Sequence, residues 1–273
     1  MNVVPTDGAL ELRGHTLVLP GSGGIAHLGE LAVDALITTY ALQRVGIVQH
    51  RYILPVAMAN AFEGKQPAIT TAAELYQAPS MPMLSVLQLR SGAAEGKRQA
   101  LAKELLRWAQ DAGVAQILVL APCSAHVKRD ADLRAPSQLR AVAAQPADLP
   151  PGLLPLGHDM SEAELGDSPG SAAAARALLR GSGLARPLLE ATAEPHSPTF
   201  APPSRFAPSI CGICGFTNET MDWRIPEEMV KAASEYLTAR LGGAFARPLV
   251  APPSWRLAKE AQMLPPADNL QLW

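Results

Sequence analysis

The chain has 273 residues, 48% of them hydrophobic, and a formal net charge of −2 at pH 7. That is apolar material for one large domain or two small ones, and the absence of any run of Lys and Arg speaks against nucleic-acid binding. Three cysteines, an odd number, argue against a disulfide framework, and the apolar stretch 29–45 is broken by Glu30, Asp34, Gln43 and Arg44 before it reaches the length of a membrane span.

The N-terminal MNVVPTDGALELRG lacks a basic region ahead of an apolar one, so no secretory signal is expected and a reducing intracellular compartment is the default. HTLVLP (15–20) reads as a buried strand, GSGG (21–24) as a turn, the apolar run 25–45 as a helix and GIVQHRYIL (46–54) as a second strand. A parallel pair joined by a helix is a βαβ unit, which predicts an α/β sheet. PMLSVLQLR (82–90) is a third strand. Gly96 to Gly113 is an amphipathic helix with Leu101, Leu105, Trp108 and Ala112 on its apolar stripe. VAQILVLA (114–121) lacks polar alternation, as a strand covered on both faces should. A short Ala-rich helix from Ser171 to Arg180 is expected to end at Gly181 and Gly183. SICGICGFTNE (209–219) is a further strand, and Pro226-Glu227-Glu228 opens a helix to about Leu241.

The 25 prolines crowd into 146–155, 187–208 and 248–266. The expected architecture is therefore one α/β domain over 1–242, a mostly parallel sheet of about five or more strands with helices on both faces. Pro- and Ala-rich insertions fall near 144–170 and 185–208, and 243–273 forms a C-terminal tail. Strand order is not readable from the pattern.

Several residue groups invite chemistry. Gly21-Ser22-Gly23-Gly24 sits between strand and helix, where many folds bind phosphate. Its spacing to Gly29 only loosely resembles a dinucleotide fingerprint, whose third position is here Ala26. The ribose-binding acid would stand near Gln49, His50 and Arg51, and no Gly-Lys-Ser or Gly-Lys-Thr occurs, so a tight turn needing φ > 0 is the simpler reading. In a phosphate- or nucleoside-handling enzyme built on this loop, Arg90 would be the anion clamp; otherwise it is a surface or interface Arg ending a strand. Cys211 and Cys214 look like half of a redox or zinc site, yet on a strand their side chains face opposite sides roughly 10 Å apart, which neither a disulfide nor a shared metal tolerates. Cys123 and His126, with Asp130 or Asp132, form a nominal nucleophile, base and orienter after a strand end, but such triplets arise by chance. Ser22 with His27 carries the same discount, and Glu162 with Glu164 reads as a solvated charge cluster. No cofactor and no metal site is expected.

Four stretches together resemble the proteasome assembly chaperone family. They are TLVLPGSGGIAHLGELAVDALITTYALQRVGIV with the downstream LPVAMAN, then AELYQAP leading to VLQLRSG, then ELLRWAQDAGVAQILVLAPCSAHVKRDADLR, and finally PPSWRL followed by MLPPADNLQLW. CGFTNETMDWRIPEEMVKAASEYL also fits. Order and spacing, rather than any single motif, make the likeness. The resemblance implies a non-enzymatic subunit with a fold similar to nucleoside-phosphorylase-like domains but without their catalytic equipment. It implies a heterodimer with a related chaperone, proteasome assembly chaperone 1, on the outer face of the α-ring, in the cytoplasm and in the nucleus as a second compartment. There it would contact proteasome α-type subunits, promote α-ring formation and block premature association. Related chaperones anchor by a hydrophobic–tyrosine–any C-terminal tripeptide. Here Gln271-Leu272-Trp273 departs from that pattern, leaving Leu270, Leu272 and Trp273 as apolar anchors. The other reading has Trp255 and Trp273 folding back on their own domain. Pairing could use the helix 96–113 or the helix 226–241. A homo-oligomeric scaffold without a proteasome connection is the third possibility.

Overall fold

Apolar runs without polar alternation need cover on both faces, and that requirement builds the molecule. A computed structural model describes residues 1–6, 10–62, 69–193, 207–220, 222–242, 245, 247–256 and 259. The strands are β1 (Asn2–Pro5), β2 (Thr16–Pro20), β3 (Gln43–Gln49), β4 (Ala57–Ala59), β5 (Ile69–Thr71), β6 (Ala73–Gln77), β7 (Leu84–Leu89), β8 (Gln116–Ser124), β9 (Leu139–Ala143) and β10 (Ser209–Thr217). The helices are α1 (Leu28–Thr39), α2 (Arg98–Asp111), α3 (Asp130–Arg134), α4 (Glu162–Leu165), α5 (Ala172–Leu178), α6 (Ala185–Ala193) and α7 (Arg224–Leu241).

Eight strands form one sheet in the order β1-β3-β6-β7-β2-β8-β10-β9, while β4 and β5 pair separately. The pairings β7–β2, β2–β8 and β8–β10 are parallel. β1–β3, β3–β6, β6–β7 and β10–β9 are antiparallel. The sheet is therefore mixed, which corrects the expectation of a mostly parallel one. The five strands read from the sequence, β2, β3, β7, β8 and β10, do all run in one direction. The short strands β1, β6 and β9 run against them, and they were not expected. β3 is likewise not the neighbour of β2 that a βαβ unit requires, because β6 and β7 stand between them.

Side-chain alternation divides the sheet between two apolar layers. Val18, Leu118, Leu120, Cys211 and Ile213 face α1 and α7. Leu17, Leu19, Ile117, Val119, Ile210 and Cys214 face α2, α5 and α6. On α2 the buried stripe is Leu101, Ala102, Leu105 and Ala109. The helix read over 25–45 ends at Thr39, since Ala41 takes a left-handed φ of 51°. The Tyr40 hydroxyl is held by Ser234 at 2.7 Å and by the Phe245 carbonyl at 3.0 Å.

The Pro-rich stretches contribute more than connection. Ala141 N–H donates to Leu154 O, Leu156 N–H to Ala141 O, and Ala143 N–H to Gly170 O, so the segment 154–170 satisfies the outer edge of β9. Residues 185–193 form α6, with Leu188 and Leu189 fully buried. No helix among the described residues is long and apolar enough to cross a membrane.

Candidate functional site

The glycine loop faces inward. Gly21 N–H donates to Leu120 O at 2.7 Å and Ile25 N–H to Gly181 O at 2.8 Å. Gly23 N–H donates to the Glu30 carboxylate at 3.1 Å, and Ser22 Oγ to Ser91 O at 2.8 Å. A carboxylate of the chain's own helix α1 thus sits where an anionic ligand would be expected. The glycines serve close packing: a Cβ on Gly29 would stand 2.3 Å from Leu120 O, which lets α1 lie directly on β8. Gly183, at φ +59°, would bring its Cβ to 2.2 Å from Ser22 O. Ser22 and His27 are not brought together. The His27 ring is exposed with Nδ1 3.6 Å from Glu30, and its hydrogen bond to Glu30 raises its pKa.

Arg90 is neither a surface residue nor a free clamp. Its guanidinium grips Asp34 with two bonds, of 2.7 and 3.0 Å, and its side chain is 7% exposed. Gln88 completes the group by donating to Asp34 at 2.6 Å and to Glu30 O at 2.9 Å. Burial pushes the Asp34 carboxyl up, against the pull of Arg90 and Gln88. A fork already filled by a carboxylate offers nothing to a phosphate.

The nominal triad is dispersed. Cys123 ends β8 fully buried, its thiol donating to Leu178 O at 3.4 Å, and burial first, then Asp132, pushes its pKa up to about 12. His126 and Asp130 are exposed. Asp132 is buried and bound by Arg140, with Nε at 2.8 Å and Nη2 at 2.6 Å. Cys211 and Cys214 lie on opposite faces of β10. Cys211 donates to the Tyr236 hydroxyl at 3.3 Å and is pushed up to about 12 by burial. All three cysteines are free, and no group of His, Cys, Asp and Glu fit to hold a metal occurs among the described residues. Glu162 and Glu164 open α4, where the Glu164 carboxylate accepts from Ser161 N–H at 2.8 Å and Ser161 Oγ at 2.9 Å in a capping box.

A cleft of about 350 Å³ opens at the carboxyl ends of β8 and β10, against the first turn of α7. Phe216, Lys128, Gln138, Asn218, Thr220 and Arg224 are among its lining residues. Asp222 Oδ1 accepts from the Arg224 backbone N–H at 3.0 Å just ahead of α7, and its other oxygen takes the Arg224 guanidinium at 2.7 Å. Lys128 bonds the Gln138 side-chain oxygen and stands 5.4 Å from the Phe216 ring centre. Arg140 lies 5.3 Å from the same ring. Burial first, then Arg140, lowers the Lys128 pKa.

The tail reaches the same end of the molecule. Phe245 packs edge-on against Tyr40 at 5.5 Å, and the Thr39 hydroxyl accepts from Val250 N–H at 3.0 Å. Trp255 is 0% exposed and lies 5.3 Å from Trp223, the residue between Asp222 and Arg224. Lys259 stands over both indoles and pairs with Glu227 at 3.1 Å. Of the two readings of the tail tryptophans, Trp255 folds back on its own domain; Leu270, Leu272 and Trp273 lie outside the described residues. The fold-back of Trp255 was one of the two readings of the sequence; the part of Phe245 in the same strap was not foreseen. Sequence reasoning also missed the Asp34–Arg90 pair, whose signal was an acid set among apolar residues in the middle of a helix.

With this geometry in view, comparison with known proteins places the chain. The PAC2 family model matches residues 18–181. Proteasome assembly chaperone 2 of Homo sapiens is 29% identical over 131 residues, 47% of this chain and 49% of that protein. That of Xenopus tropicalis is 30% identical over 122 residues, 44% and 46%. The chain spans about half the length of these curated relatives. Among solved structures, Pyrococcus furiosus PbaA, described as an archaeal homolog of proteasome-assembly chaperone, superposes with a TM-score of 0.59 at 16% identity, covering 95% of this chain and 92% of that one. Pyrococcus furiosus PbaB, described as an archaeal proteasome activator, gives a TM-score of 0.54 at 12% identity, covering 96% and 95%. These two share the fold, and the family model, matching more than half of the chain, shows that it belongs to the PAC2 family.

Proposed function

We propose that this chain is a chaperone for assembly of the proteasome core particle, acting as a heterodimer with proteasome assembly chaperone 1. It promotes formation of the α-ring and blocks off-pathway or premature association, through contacts with proteasome α-type subunits in the cytoplasm and nucleus. The observation that carries this reading is the identity of 29–30% to proteins named proteasome assembly chaperone 2. The filled glycine loop and the Asp34–Arg90 pair support it, because the groups that an enzyme would turn toward substrate are bonded to one another. Leu270, Leu272 and Trp273 serve in this reading as apolar anchors for the α-type subunits. Co-expression with proteasome assembly chaperone 1 and α-type subunits, followed by size-exclusion chromatography, tests it. A ternary complex is expected, and deletion of 270–273 should release the α-type subunits while leaving the chaperone pair intact. A chain that elutes alone contradicts the reading.

A further inference from the structure

The edge strands of a sheet present rows of unpaired backbone groups, which a fold must cover, charge or break. One edge of this sheet is covered, since β9 takes its outer hydrogen bonds from the segment 154–170. The other edge is β1, which pairs with β3 and, among the described residues, has no strand on its outer side. Its sequence Asn-Val-Val-Pro carries no charge, and Pro5 is its one protective feature.

An apolar surface lies beside this open edge. By register Val4 stands next to Ile47 and Ile47 next to Glu74, so the three share one face of the sheet. The β4–β5 hairpin hangs on that face: Thr71 N–H donates to Glu74 at 2.9 Å, and Arg44 Nη1 donates to Ile69 O at 3.4 Å. Within the hairpin Ala57, Ala59 and Ile69 point the same way, and all three are exposed. Val4 is 44% exposed and Ile69 58%. The two charges beneath them, Arg44 and Glu74, are paired with each other at 2.7 Å.

The helices α2 and α7 are less suited to pairing. Neither exposes a large apolar side chain, whereas a stable interface needs an apolar centre with few charges. The exposed charges of α2 are Arg98, Lys103, Arg107 and Asp111, and those of α7 are Arg224, Glu228, Lys231, Glu235 and Arg240. Two chains of one fold that meet about a two-fold axis use the same patch on each. The cationic excess on α2 would then meet its own sign, while an uncharged apolar patch is complementary to its own kind.

We propose that the β1 edge and the β4–β5 hairpin form the surface that holds the paired chaperone, which sets the corresponding edge of its own sheet against it. The proposal rests on the chaperone reading above and adds to it the interface and the chemistry of the surface it fits: uncharged, apolar and presented edge-on by a chain of the same fold.

The test measures pairing of the full chain with proteasome assembly chaperone 1, by co-expression and by titration of the purified chains. Val4→Lys combined with Ile69→Lys sets two cations on the patch and is expected to weaken pairing by more than about tenfold. The melting temperature of the lone chain should be unchanged. Lys103→Glu on α2 and Glu235→Lys on α7 should pair as the wild type does. Ile69→Cys supplies a second readout, which decides alone if the double variant fails to fold. The chain's own cysteines are buried. Iodoacetamide should therefore label the introduced thiol readily in the lone chain and more than about tenfold more slowly in the pair. Wild-type pairing by the double variant overturns the interface, as do equal labelling in the two states and loss of pairing through either helix variant. A homodimer in place of the pair, lost in the double variant, makes a second copy the occupant and overturns the partner named here. A wild-type chain that joins neither the second chaperone nor α-type subunits overturns the chaperone reading itself, an outcome distinct from the others.

Discussion

Asp34 and Arg90 show how a sequence can advertise chemistry that the fold has already spent. A buried ion pair is near neutral for stability when intact, but removal of one partner strands a charge and costs on the order of 3–5 kcal/mol. Arg90→Met is expected to lower the unfolding free energy obtained from a urea titration by that margin, and Asp34→Leu combined with it should recover most of the loss. Equal stability of Arg90→Met and wild type would show that the pair is not formed. Cys123 makes the opposite point. Its position at the end of β8 is where α/β proteins keep reactive groups, yet burial holds the thiol protonated up to about pH 12, and the thiolate is the nucleophile. Native chain incubated with iodoacetamide at pH 8 should remain unlabelled at Cys123, whereas unfolded chain labels readily; fast native labelling would contradict this. On the surface, hydrogen bonds from Arg51 at 2.8 Å and His50 at 2.7 Å hold the Glu104 carboxyl down to about 2. A depressed carboxylate stabilises the fold above its unfolded pKa and loses that contribution as pH falls to its folded value. Glu104→Gln should therefore flatten the melting temperature between about pH 4.5 and pH 2, and an unchanged acid profile would remove the assigned role.

At the scale of elements, the strands that were legible are those whose burial is continuous. Leu17 to Leu19 and Ile117 to Ala121 are apolar on both faces, and Leu84 to Leu89 is so apart from Ser85 and Gln88; both faces are covered, so composition marks them. β6 (Ala73–Gln77) hid because its second residue is Glu74. That side chain is 1% exposed and is satisfied by Arg44 at 2.7 Å, Thr71 N–H at 2.9 Å and the Tyr76 hydroxyl at 2.6 Å. One remote partner, Arg44, together with the neighbouring Thr71 and Tyr76, turned a polar residue into a core one, and hydrophobic alternation cannot report that. β1 hid because it is four residues long and largely exposed, and β9 because Arg140 breaks its short apolar run and its outer hydrogen bonds come from the segment 154–170. The strap was only half legible for a related reason: proline density signals irregular backbone, which it is, and left the burial of Trp255 as one of two readings and that of Phe245 unsignalled. Trp255→Ala should destabilise the fold by about 3–5 kcal/mol in chemical denaturation and hasten proteolysis after Arg247. A loss below about 1 kcal/mol would mean that the strap is not packed against α7.

Over the whole molecule, a parallel centre of β7-β2-β8-β10 between antiparallel edges places the glycine loop, the cleft and the first turn of α7 at the carboxyl ends of the central strands, the end where open α/β sheets bind their partners. In this chain the loop is closed by Glu30 and the neighbouring Asp34–Arg90 pair, while the cleft opens outward and the strap is packed inward through Phe245 and Trp255. The likeness of the whole stretch 18–181 to the PAC2 family was readable from motif order; which groups are turned inward was not, because it depends on contacts such as Arg90 with Asp34 and Trp255 with Trp223. The most direct measurement is affinity capture of the tagged chain from an extract of its own cells, with mass spectrometry of everything retained. The account predicts a second chaperone of similar size together with proteasome α-type subunits and few mature proteasomes. Recovery of the chain alone, or of itself only as an oligomer, would contradict it.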